Sequence, residues 1–196
     1  MASDKQIAIV GMGCVFPGGR GAQGFWDLVS TGGDASEDIP AGRWPADHSK
    51  YYKPELGVAD HVASRRGYFV SKAHYDTSDL PISRDVLAGL DPLFHLTLRA
   101  GFDAWKDCPS ASRHSMRGAV IMGNIVLPTE GSAKIARDYL GSEFKESLGL
   151  SDDQRSSTDP RNAFPAALPA TMLARLWGLS AAAILWTRPV PRHFTP

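Results

Sequence analysis

Cys14, four residues past the end of the apolar run IAIV at 7–10, is the first side chain in this sequence that could serve as a nucleophile. A reactive thiolate needs a neighbouring base or a helix N-terminus to lower its pKa. Cys14 instead stands between Met12 and Phe16, and no histidine is close to it in sequence. That setting suits a buried, inert thiol. Cys108, at the end of a helical pattern and just before Pro109, reads the same way. The six histidines (His48, His61, His74, His95, His114 and His193) show neither H-x-x-x-H nor H-E-x-x-H spacing, which removes the common zinc patterns. Neither a G-x-S-x-G elbow nor a P-loop occurs. The acidic pairs Glu37-Asp38 and Asp152-Asp153 read as solvated loop charges. Local motifs therefore assign no catalytic residue, no cofactor-binding residue and no metal ligand.

The remaining local candidate is Gly11-Met12-Gly13, directly after the apolar run. A dinucleotide fold wants G-x-G-x-x-G opening a helix, with an acidic residue about 20 positions on. Here Phe16 stands where the third glycine belongs, and Pro17-Gly18-Gly19 breaks the helix that would hold the pyrophosphate. The expected reading is a tight glycine turn after a core strand. A dinucleotide-binding enzyme is kept as an alternative function.

The elements that would position any such chemistry follow from periodicity. The run at 7–10 reads as a strand buried on both faces, as in an α/β sheet. Phe25, Leu28 and Val29 mark one side of a short helix ending near Gly32-Gly33. Residues 34–80 form a long excursion with few periodic segments; its aromatics (Trp44, Tyr51, Tyr52, Tyr68, Phe69 and Tyr75) predict that it packs onto the body. Ser83 opens a short helical pattern with Val86, Leu87 and Leu90 on one face. The clearest helix follows, with Asp91 as cap and Pro92 in the first position, where a missing N–H does no harm. Phe94, Leu98, Phe102 and Trp105 form its stripe and Pro109 stops it. GAVIMG at 118–123 reads as a second buried strand, 131–148 as helix, 156–160 as a polar break and 169–177 as a last short helix. That order predicts an α/β architecture with at least one parallel crossover.

Composition narrows the class. The chain has 196 residues and is 43% apolar, enough for a core of one domain or part of one. Basic and acidic residues number 21 each. That balance gives no electrostatic reason to expect nucleic acid or an anionic membrane as partner. Two cysteines are too few for a disulfide framework, so a reducing, cytoplasmic setting is expected. The apolar run at 176–186 is too short to span a bilayer and is expected in a core.

Taken in order, the segments resemble the ketosynthase (β-ketoacyl synthase) domains of type I polyketide and fatty-acid synthases. IAIVGMGCVFPGG at 7–19 looks like their opening. FWDLV at 25–29, DIPAGRW at 38–44, YY at 51–52, RGYFV at 66–70 and YDTSDLPISRDVLAGLDP at 75–92 continue the match. GAVIMG at 118–123 and FPAALPATMLARLWGLS at 164–180 complete it. One departure is Leu93-Phe94-His95 after Asp91-Pro92, where family members commonly read D-P-Q-Q-R; this points to a divergent subgroup of polyunsaturated-lipid or glycolipid synthases.

The resemblance implies a thiolase-like α/β fold, here its N-terminal half, and a chemistry of acyl transfer and decarboxylative condensation. In the family a cysteine in a D-[AT]-A-C-[AS]-S-S motif takes the acyl chain, and two later histidines promote decarboxylation of the malonyl thioester. Acyl carrier protein and other synthase domains are the implied partners of the intact parent, which the resemblance makes a homodimer. The motif belongs just after the segment matched by LARLWGLS, where this chain reads TRPVPRHFTP at 187–196. Trp186 is encoded by TGG and a threonine codon begins AC, so the frame one base earlier must read GAC, aspartate, at the junction. With CGN codons at Arg188 and Arg192, the sequence Asp-Ala-Ala-Cys-Ala-Ser-Ser-Leu-Tyr-Ala fits all ten positions of that frame. The expectation is that 1–180 is the N-terminal part of a ketosynthase domain and 181–196 a frame-shifted, non-native tail. The chain is then inactive, with a non-catalytic partner-binding module as the alternative.

Overall fold

The computed structural model describes residues 6–43, 47–109, 118–125, 128–149, 157–179 and 184–186. They fall into two compact units, one made of Cys14–Tyr75 and the other of Met1–Gly13 with Asp76–Pro196.

The Cys14–Tyr75 unit opens with a hairpin of β1 (Val15–Phe16) and β2 (Gly19–Arg20). Pro17 and Gly18 make the turn between them, and Gly18 has φ of 76°. Proline followed by a glycine with positive φ is the chemistry a type II turn requires. Helix α1 (Gly21–Ser30) follows, and Thr31 caps its end by donating to the Asp27 carbonyl oxygen. Phe25 stacks on Phe16 with ring centroids 4.3 Å apart. The two-residue strands β3 (Glu37–Asp38) and β4 (Arg66–Gly67) pair antiparallel. Glu37 and Asp38 are solvated as expected, but on a strand rather than a loop. Arg66 fastens the pair by donating to the Ser36 carbonyl at 2.7 Å. The aromatic residues do not all find cover: Tyr75 is buried, whereas Tyr51 and Tyr68 are exposed. Trp44 lies outside the described residues.

The second unit holds the main core. Short helix α2 (Arg84–Leu87) is capped by Ser83, whose hydroxyl accepts from the Asp85 N–H. Leu87 and Leu90 turn inward while Val86 stays exposed. Helix α3 (Pro92–Asp107) starts at Pro92 and ends one residue before Cys108. Its Phe94 and Leu98 are fully buried and pack with Ala170, Leu173 and Ala174 of α5 (Leu168–Leu176). Trp105 stacks on Trp177, just past the end of α5, at 5.1 Å. Helix α4 (Glu130–Ser147) is capped by Thr129, which accepts from Ser132 N–H. Leu176, Trp177 and Leu179 border the core, as the apolar run beginning at 176 predicts. The expected parallel crossover is present: β5 (Ile121–Gly123) pairs parallel with β6 (Ile184–Trp186), Gly123 opposite Trp186.

Two expectations for strands fail. Residues 7–10 form no strand and are not buried; Ile7 and Ile9 are 97% and 85% exposed. A β-branched run becomes a strand only when a neighbour accepts its ladder of hydrogen bonds and covers its faces, and no described strand lies beside it. Likewise β5 is narrower than 118–123, and Ile121 points to solvent.

Candidate functional site

The catalytic position implied by the family resemblance follows the end of β6. In parallel α/β sheets reactive groups collect beyond the carboxyl ends of the strands. Strand β6 ends at Trp186, level with Gly123 at the end of β5. Asn124, next after Gly123, donates from Nδ2 to the Pro165 carbonyl at 3.2 Å, which ties this strand end to the segment entering α5. Residues 187–196, and with them His193, lie outside the described residues.

The starts of α3 and α4 meet the 3-10 turn Pro160–Ala163 in a buried polar hub that sequence reasoning missed. Asp91 stands before α3 as expected, yet its carboxylate does not cap that helix. It accepts instead from the Gly131 N–H, at 3.0 and 3.2 Å to its two oxygens, and from the Thr129 hydroxyl. A carboxylate at the N-terminus of α4 meets unpaired N–H groups and the positive end of the helix dipole. Asn162, 1% exposed, completes the hub: its Oδ1 accepts from the Asp91 N–H at 2.9 Å, and its Nδ2 donates to the Gly89 carbonyl at 2.7 Å. A Cβ on Gly131 would come within 2.7 Å of Asn162 Nδ2 and 2.8 Å of Asp91 Oδ2, so only glycine fits.

The flank of the hub is charged. Asp159 accepts from the Arg161 N–H, opening the 3-10 turn Pro160–Ala163. Arg161 also reaches the Val86 carbonyl at 2.6 Å, and so covers the end of α2. The Arg161 hydrogen bond holds the Asp159 carboxyl below its ordinary pKa against the effect of burial. On α3, Arg99 binds Asp103 and Asp79 and donates to the Asp76 carbonyl. Burial works against charge on Asp79, but the Arg99 hydrogen bond and charge outweigh it and lower its pKa.

Cys108 is buried, and its thiol lies 3.8 Å from the Pro109 carbonyl. Cys14 is partly buried. His61 Nδ1 lies 2.7 Å from the Ala59 carbonyl, His74 Nδ1 accepts from the Ser71 N–H at 3.0 Å, and His95 Nδ1 meets Thr77 Oγ1 at 3.3 Å. The first two are local turn contacts, and the third joins α3 to a residue 18 positions earlier. His48 lies in the 3-10 turn His48–Lys50, and His114 and Asp152-Asp153 fall outside the described residues. Among the described residues no group of three or more His, Cys, Asp or Glu could hold a metal ion.

Gly11 and Gly13 have a different role from the expected turn. Neither has positive φ. A Cβ on Gly11 would strike the Ala104 carbonyl, and one on Gly13 the Ala100 carbonyl. The segment lies flat on the backbone of α3, and the Met12 N–H donates to Asp107 at 2.9 Å. The spacing of two serves close contact with a helix.

Comparison with known proteins agrees with this geometry. A phenolphthiocerol/phthiocerol polyketide synthase of Mycobacterium tuberculosis is 33% identical over 121 residues, 60% of this chain and 5% of that protein. The PKS-NRPS hybrid synthetase acdB of Aspergillus candidus is 35% identical over 102 residues, 51% of this chain and 4% of that one. The chain thus spans a small fraction of the relatives it matches. Among solved structures, the PfaC keto synthase–chain length factor superposes with a TM-score of 0.68 at 24% identity, covering 88% of this chain and 20% of that one. The OzmH KS7 ketosynthase domain of Streptomyces albus JA3453 gives 0.64 at 20%, covering 94% and 29%. These likenesses establish the thiolase-like fold of ketosynthase domains. With the family model "Beta-ketoacyl synthase, N-terminal domain" matching residues 4–185, the chain belongs to the β-ketoacyl synthase family.

Proposed function

We propose that this chain is the part of a polyketide or fatty-acid ketosynthase that leads up to its nucleophile. The parent activity is transfer of an acyl group to a cysteine, then decarboxylative condensation with a malonyl thioester on carrier protein. Carrier protein, neighbouring synthase domains and a second parent copy are its partners, in the cytoplasm. The 196 residues by themselves do not catalyse this reaction. Their only cysteines, Cys14 and Cys108, stand apart from the end of β6 in sequence, and the position of the family's motif reads TRPVPRHFTP. A catalytic unit without its nucleophile loses nearly all of its rate enhancement.

The observation that carries the reading is β6. It runs parallel to β5 and ends at Trp186, immediately before the ten residues whose codons accommodate Asp-Ala-Ala-Cys-Ala-Ser-Ser-Leu-Tyr-Ala in the adjacent frame. Two experiments test it. The nucleotide sequence across 187–196 is expected to read that motif one base earlier, and any other reading removes the frame-shift. Incubation with a radiolabelled acyl thioester is expected to label the protein made in the restored frame and leave this chain unlabelled. Labelled Cys14 or Cys108 would overturn the account, as would an unlabelled restored protein.

A further inference from the structure

No further inference is drawn: the strongest candidate, the exposed apolar surface patch at residues 7–10 beside α3, is an unpartnered segment, and nothing in the structure shows what covers it.

Discussion

Asn162 illustrates how a single side chain can join parts of the chain that its neighbours in sequence do not announce. Its two amide ends satisfy the Asp91 N–H and the Gly89 carbonyl, 71 and 73 positions away. Asn162→Ala leaves the buried Asp91 N–H unsatisfied, a loss that costs about 1–3 kcal/mol. The substitution is expected to lower the stability measured by urea titration by about 1–3 kcal/mol; an unchanged midpoint would show the hub to be dispensable. Asp159 supplies the test of charge. Its folded pKa is depressed, first by the Arg161 hydrogen bond, so its contribution is present above the ordinary carboxylate range and is lost as pH falls through the folded value. Asp159→Asn keeps an oxygen to accept the Arg161 N–H but removes the charge. The variant should lose less stability than the parent between pH 6 and about pH 3, where ordinary carboxyls are largely protonated. Parallel acid limbs in urea titrations across that range would refute the assignment.

At the scale of elements, helices are legible in this sequence and strands only in part: β5 falls within the expected 118–123, whereas 7–10 forms no strand. Helix α3 announces itself through Pro92 at its start, Pro109 beyond its end and apolar side chains at helical spacing. All of these are local signals, and they place its ends to within a residue or two. A strand depends on what lies beside it. Residues 7–10 have the composition of a buried strand but no described partner, whereas Ile184–Trp186 pairs with Ile121–Gly123 across 63 positions. Asp91 does precede α3 but does not cap it, because the Gly131 N–H that draws its carboxylate is 40 residues away. The α3–α5 contact carries the element-scale prediction. Leu98 is 0% and Leu173 6% exposed, and Gly101 leaves the space that Leu173 fills. Leu98→Ala and Leu173→Ala are each expected to destabilise the protein by about 2–5 kcal/mol through lost burial and a residual cavity. Because both side chains belong to one core cluster, the double variant should fall short of the sum. Additive losses in denaturant titrations would mean that the two helices do not share this core.

For the whole molecule, family membership is legible because eight short motifs occur in the right order, each weak by itself. The absence of a local catalytic cluster is no obstacle to that reading. Ketosynthase chemistry draws on residues far apart in the chain, and the described residues supply the strand pair β5–β6 and the polar hub. Large apolar side chains lie open among the described residues: Ile7 and Ile9 before α3, and Tyr139, Leu140 and Phe144 on α4, at 74%, 69% and 65% exposure. Contiguous apolar surface of this kind is uncommon on soluble monomers and binds apolar dyes. The chain is therefore expected to enhance and blue-shift ANS fluorescence in native buffer, before any urea is added. Replacing Tyr139, Leu140 and Phe144 together by lysine should reduce that signal while leaving the core of α3 and α5, and hence the urea midpoint, nearly unchanged. ANS emission at the level of buffer alone would show that these side chains are covered in solution, and the open face of α4 would have to be abandoned.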